Sequence, residues 1–144
     1  MGMLAGYGRL VAASIGLLLV AGCGGGSPAA ASKVDQPVTV HRMGGLAGVD
    51  DKLSVATSGE WTQDGRSGRL TDAQAAQVNQ ILKDPRIAQE SKRQAGESRC
   101  RDTFTFEVMV GDQIRVHYVD CPGDPDPPVA TMALVEYLYG VTAG

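Results

Sequence analysis

Val38-Thr39-Val40-His41-Arg42-Met43 alternates apolar and polar side chains, the two-residue period of a half-buried strand. Gly44-Gly45-Leu46-Ala47-Gly48 breaks the alternation, and Lys52-Leu53-Ser54-Val55-Ala56-Thr57 resumes it as a second strand. Residues 59–69 are rich in turn formers, with a further short strand around Trp61. The period then changes. Ala75, Val78, Ile81 and Leu82 recur at helical spacing behind Thr71, whose hydroxyl forms a capping box with Gln74, and Asp84-Pro85 stops this helix. Residues 86–99 are polar and read as a solvated, mobile connection with one weak helical turn around Ile87.

Two β-type runs follow, Thr103 to Val110 and Gln113 to Asp120, joined by Gly111-Asp112 and flanked by Cys100 and Cys121. Aligning like faces pairs Phe104 with Tyr118, Phe106 with Val116 and Val108 with Ile114. A hairpin brings its ends together, so Cys100 and Cys121 are predicted to form a structural disulfide. In this register they are offset by one position, which a bulge or a strand end near Pro122 must absorb. Closing a loop of about 22 residues stabilises a fold by roughly 3 kcal/mol on chain-entropy grounds. Asp126 and Pro127 then predict a helix start, with Ala130, Leu134, Tyr137, Leu138 and Val141 inward, an end near Tyr139 and Gly140 as the stop. The order strand, Gly-rich loop, strand, helix, strand, strand, helix predicts an α+β fold. Its expected form is a small antiparallel sheet of about four strands with two helices on one face and one disulfide. No repeat of 20–50 residues is present.

The segment before this domain has a different character. Arg9 is the only charge before Lys33, and Leu10 to Ala21 is apolar for about a dozen residues, the length of a signal-peptide h-region and too short for a comfortable bilayer span. It ends in Val20-Ala21-Gly22-Cys23, which resembles a bacterial lipobox with Cys23 as the lipidated residue. Residues 1–22 are then the signal peptide, 23–36 the lipidated cysteine and a flexible Gly/Ser/Ala/Pro-rich tether, and 37–144 a single α+β domain. Several acyl chains on one cysteine give stable anchoring where one would not. The expected location is the cell envelope, on the outer face of the plasma membrane, or on the outer membrane of a Gram-negative source. No aspartate retention signal follows Cys23.

Composition narrows the function. Of 144 residues 43% are hydrophobic and 20% charged, which argues against wholesale disorder. Lys and Arg number 13 against 16 Asp and Glu; without Arg9 the balance is 12 − 16 = −4, which excludes nucleic-acid binding through a basic face. His41 and His117 lie in no zinc-ligand spacing, no G-x-S-x-G elbow or G-x-G-x-x-G turn occurs, and Cys100 and Cys121 form no C-x-x-C pair. Asp120, Asp124 and Asp126 could hold calcium, but Pro122, Pro125 and Pro127 make that segment a better turn and helix cap. No catalytic constellation, cofactor or metal site is predicted. A non-enzyme acts through its surface, and the most unusual surface candidate is the Gly44–Gly48 loop. Its glycines let another chain approach closely, while Leu46 either folds back into the core or stands out as an apolar anchor.

A strand ending in Arg42-x-Gly44-Gly45-x-Ala47-Gly48, then a strand, the helix from Thr71 to Lys83, the hairpin Phe104 to Tyr118 and a C-terminal helix resembles the emfourin family. These are small protein inhibitors of protealysin- and thermolysin-like zinc metalloproteases. The resemblance spans about Val38 to Tyr139, with its specific part in the Gly-Gly-x-Ala-Gly loop. The lipobox, the cysteine pair, and the excursions at Trp61 and at Asp124-Pro125-Asp126 depart from the family pattern. It implies a thermolysin-like metalloprotease as partner and a reversible, non-covalent block of its cleft. Leu46 would be the anchor, Gly44, Gly45, Ala47 and Gly48 would shape the loop, and Arg42 and Asp50 would be rim contacts. The alternative class is a lipid-anchored envelope binding module with a protein or cell-wall partner.

Overall fold

The computed structural model describes residues 32–93 and 100–143. The expected signal peptide, Cys23 and most of the expected tether lie outside the described residues, as do residues 94–99 and 144. Within them the chain runs β1 (Val38–Gly44), β2 (Val49–Val55), β3 (Glu60–Gln63), β4 (Arg66–Arg69), α1 (Asp72–Leu82), α2 (Pro85–Glu90), β5 (Phe104–Val110), β6 (Ile114–Val119) and α3 (Val129–Thr142). The strands form one antiparallel sheet in the order β4-β3-β2-β1-β5-β6. The α+β class and the antiparallel sheet agree with the sequence pattern, but the sheet has six strands rather than about four, and three helices rather than two accompany it.

Alternation places one face of the sheet in the core. Val38, Val40, Leu53, Val55, Val108, Val110 and Val116 are each at most 2% exposed, and their cross-strand pairing puts them on the same face. Ala75 and Val78 of α1, Ile87 of α2 and Leu134, Val135 and Leu138 of α3 complete the cluster. On the opposite face Thr39, His41, Lys52, Thr62, Glu107, Arg115 and His117 are half-buried or exposed.

The extra strands come from the turn-rich excursion. Asp64 and Gly65 both take positive φ, 47° and 79°, as a tight hairpin requires, so the Trp61 strand continues as a β3–β4 hairpin. The register of β5–β6 also differs: Phe106 faces Tyr118, Val108 faces Val116 and Val110 faces Ile114. Pairing Val108 with Ile114 would set Val110 against Asp112 and leave one residue to reverse the chain. A shift by two residues keeps every side chain on its face and leaves a three-residue turn. Phe106 and Tyr118 then stack with centroids 4.9 Å apart.

α1 begins as expected. Thr71 Oγ1 accepts from Gln74 N–H at 3.2 Å, and Gln74 Oε1 accepts from Thr71 N–H at 2.8 Å. Asp84-Pro85 ends α1 but also starts α2, with Asp84 Oδ1 accepting from Arg86 N–H at 2.9 Å. The polar connection is thus partly a packed helix, with Ile87 and Glu90 buried. α3 departs further. Its N-cap is Pro128, which supplies no side-chain cap, and it runs through Gly140 to Thr142. The buried Glu90 carboxylate caps it instead, accepting from Ala130 N–H (2.9 Å), Thr131 N–H (2.8 Å) and Thr131 Oγ1–H (2.7 Å). Asp126 lies apart from that cap and pairs with Arg93 at 3.0 Å.

Residues 32–36, read from composition as the end of the tether, are held to the domain. Val34 is 3% exposed and its N–H donates to Thr57 O at 3.0 Å, while Asn79 accepts from Asp35 N–H and donates to Lys33 O. Among the described residues no helix is long and apolar enough to cross a membrane.

Candidate functional site

β1 and β2 pair as far as Gly44 opposite Val49, so residues 45–48 alone reverse the chain. Gly48 N–H donates to Gly45 O at 3.1 Å and closes the turn with Leu46 and Ala47 at its corner. Leu46 is 89% exposed; the alternative in which it folds back into the core does not occur. Besides Val129 at 48%, it is the one strongly exposed large apolar side chain among the described residues.

The glycines have a local cause. Gly44 and Gly45 take φ of 97° and 70°, and a side chain on either would collide with the start of β5. A Cβ on Gly44 would lie 2.8 Å from Thr103 O, and one on Gly45 would lie 2.8 Å from the Phe104 ring. Close approach lets Gly45 N–H donate to Thr103 O at 3.0 Å, so the turn rests on a segment 58 residues further along the chain. Cys100 and Cys121 are disulfide-bonded behind it, with Cα atoms 5.8 Å apart.

Arg42 and Asp50 flank this turn on opposite faces of the sheet. Arg42 points to the helix side, where its guanidinium pairs with the buried carboxylate of Asp51 and lies 5.0 Å and 4.8 Å from the Phe104 and Tyr139 ring centroids. Tyr139 Oη–H donates to Asp51 Oδ1 at 2.5 Å. Burial, and then the hydrogen bond to Asp51 with its negative charge, hold the Tyr139 phenol well above the ordinary tyrosine range. Arg42 therefore braces the base of the turn against α3. Asp50 is on the open face with its side chain 77% exposed, and its Oδ1 lies 2.6 Å from His41 Nε2.

Glu107 faces His41 on one side and His117 on the other, and it pairs with Arg115 at 3.0 Å. Among the described residues no three His, Cys, Asp or Glu side chains gather to hold a metal ion. Asp124 and Asp126 both approach Arg93, at 3.9 Å and 3.0 Å. An open groove of about 460 Å³ between α1 and α3 is edged by Lys83, Asp84 and Arg86, and its Asp84 carboxylate is already engaged by Arg86, which lowers its pKa.

The turn is legible in the sequence, but its supports are not. Thr103 acts through its carbonyl, Phe104 through its ring, and Tyr139 comes from the last helix. No local pattern points to any of them. No family model, curated protein or solved structure matches this chain.

Proposed function

We propose that this protein is a non-covalent inhibitor of thermolysin- and protealysin-like zinc metalloproteases, held at the cell envelope through a lipidated Cys23. The observation that carries the reading is Leu46, 89% exposed at the corner of a turn whose backbone is fixed on both sides. An isolated large apolar side chain gains little from facing water, and burying it in a partner's pocket contributes roughly 2 kcal/mol or more. Thermolysin-like enzymes favour a bulky apolar residue just after the scissile bond, which fits Leu46 as the anchor. A turn already in its bound shape loses little conformational entropy on docking. Gly45 N–H, Gly45 O and Gly48 N–H are engaged within the fold, so docking rests on the Leu46 side chain, with Asp50 on one flank and the exposed part of Arg42 on the other. The resemblance to emfourins rests on these same residues and agrees with the reading.

The test is a titration of the oxidised protein against a thermolysin-like protease cleaving a fluorogenic peptide. Stoichiometric loss of activity, weakened by about 30-fold or more in Leu46→Ala, is the expected result for an anchor residue. No inhibition across several such proteases overturns the reading and leaves an envelope binding module as the function. Inhibition that Leu46→Ala leaves intact moves the interface away from this turn.

A further inference from the structure

The bridge between Cys100 and Cys121 lies behind the Leu46 turn. Residues 100–103 precede β5 and are outside its strand pairing, yet Thr103 supplies the carbonyl that accepts from Gly45 N–H at 3.0 Å. The next residue, Phe104, places its ring under Gly45 and pairs with Gly44. On the other side of the bridge, Asp120 N–H donates to Phe104 O at 2.8 Å and Cys121 follows directly. The disulfide therefore closes a small ring from Cys100 through Phe104 and Asp120 to Cys121. Within that ring Asp102 takes φ 59°, a left-handed backbone that aspartate adopts more readily than most non-glycine residues.

We infer that the Cys100–Cys121 disulfide is the positioning device of the Leu46 turn. It fixes residues 100–103, the Thr103 carbonyl and the Phe104 ring then fix Gly44 and Gly45, and these aim Leu46. The inference rests on the inhibitor reading for its consequence in binding: tight inhibition belongs to the oxidised protein, and opening the bridge loosens the turn without dismantling the sheet. A dithiol such as dithiothreitol opens it by supplying two electrons and two protons. The products are two cysteine thiols and the cyclic disulfide of the reagent.

The experiment compares amide exchange and inhibition in the full-length oxidised protein and its Cys100→Ala/Cys121→Ala variant. Gly111 serves as the internal reference, because its N–H donates to Pro37 O at the far end of the β1–β5 pair. The expected result is Gly45 exchange faster by about 30-fold or more while Gly111 changes by less than about 3-fold, since local opening exposes only the amides it releases. Inhibition of thermolysin weakens by about 10-fold or more with Leu46 intact, as expected when a preorganised contact is released. Dithiothreitol applied to the parent protein, with no protease present, reproduces the change in exchange, and reoxidation reverses it. Equal acceleration at Gly45 and Gly111 overturns the inference, because the bridge would then be only a global staple; so does unchanged exchange at Gly45. If the double variant fails to fold, Phe104→Leu with the bridge intact must loosen Gly45, and a protected Gly45 there overturns the coupling. If the oxidised parent inhibits nothing, the inhibitor reading falls, while the Gly45-to-Gly111 ratio still decides whether the bridge positions the turn.

Discussion

Glu90 Oε2 accepts from both the backbone N–H and the hydroxyl of Thr131, at 2.8 Å and 2.7 Å, although 41 residues separate the two. A carboxylate at a helix N-terminus satisfies orphan donors and complements the helix dipole. Here it does so while 8% exposed, so its loss leaves buried N–H groups without water or partner. Glu90→Ala is expected to lower stability by about 3 kcal/mol, read from the urea midpoint. Glu90→Gln retains the shape but turns an amide donor toward other donors, so a loss of more than about 1 kcal/mol is expected there too. A midpoint unchanged in both variants would show that α3 starts without this cap.

The turn glycines should differ from one another. Gly44→Ala puts a Cβ against a backbone carbonyl, and Gly45→Ala puts one against an aromatic ring, each at positive φ. Each is expected to cost about 2 kcal/mol or more, the left-handed backbone contributing about 1 and the collision the rest. Gly48 also has positive φ, but nothing lies within 4 Å of its missing Cβ. Gly48→Ala is therefore expected to cost only about 1 kcal/mol. Equal costs at all three positions would contradict the close approach to Thr103 and Phe104.

Leu46 separates stability from binding. Its side chain touches solvent rather than core, so Leu46→Ala should leave the denaturation midpoint within about 0.5 kcal/mol of the parent. Protease binding should weaken by at least about 2 kcal/mol. The two numbers come from the same purified variant, which rules out misfolding as the cause of lost inhibition.

Asp51 joins the base of the turn to the last helix. It accepts from Arg42 and from the Tyr139 hydroxyl while 5% exposed. Asp51→Asn leaves the Arg42 guanidinium without its counter-charge in a half-buried place, and a loss of about 2 kcal/mol is expected. Exchange at Gly45 should rise less than in the bridge-free protein, because Thr103 still accepts its N–H.

Alkaline pH should weaken the fold through two tyrosines. Burial raises the Tyr118 phenol, helped by the charges of Asp120 and Glu90, and burial with the Asp51 hydrogen bond raises that of Tyr139. Unfolded tyrosine loses its proton near pH 10, whereas these remain protonated in the folded chain. The folded state thus binds more protons above about pH 10, and stability falls as pH rises there. Their contribution is fully present below about pH 10. The urea midpoint is expected to show no tyrosine-dependent slope between pH 7 and 9 and to decline beyond 10, with a shallower decline in Tyr139→Phe. An identical alkaline slope in that variant would exclude Tyr139 as a source.

What the sequence by itself determined is local. The faces of β1, β2, β5 and β6 follow from a two-residue alternation, and α1 begins where Thr71 and Gln74, three residues apart, cap each other. The Leu46 turn was legible from its glycines, and the Cys100–Cys121 pair from its place at the ends of a hairpin. The β3–β4 hairpin was legible in part, as a short strand around Trp61 in a turn-rich segment, but β4 was not. Tertiary structure decided what depends on partners tens of residues away. The alternation of β5 and β6 fits two registers equally, and the room needed to reverse the chain selects one. α3 starts at Val129 rather than Pro127, capped by a glutamate from α2 that no neighbouring residue announces. Arg42 turns inward because Asp51, Phe104 and Tyr139 converge on it from three elements. Leu46 stands out because Thr103 and Phe104 hold the glycines beneath it. Such contacts have no period and no spacing along the chain, so only the packed fold contains them.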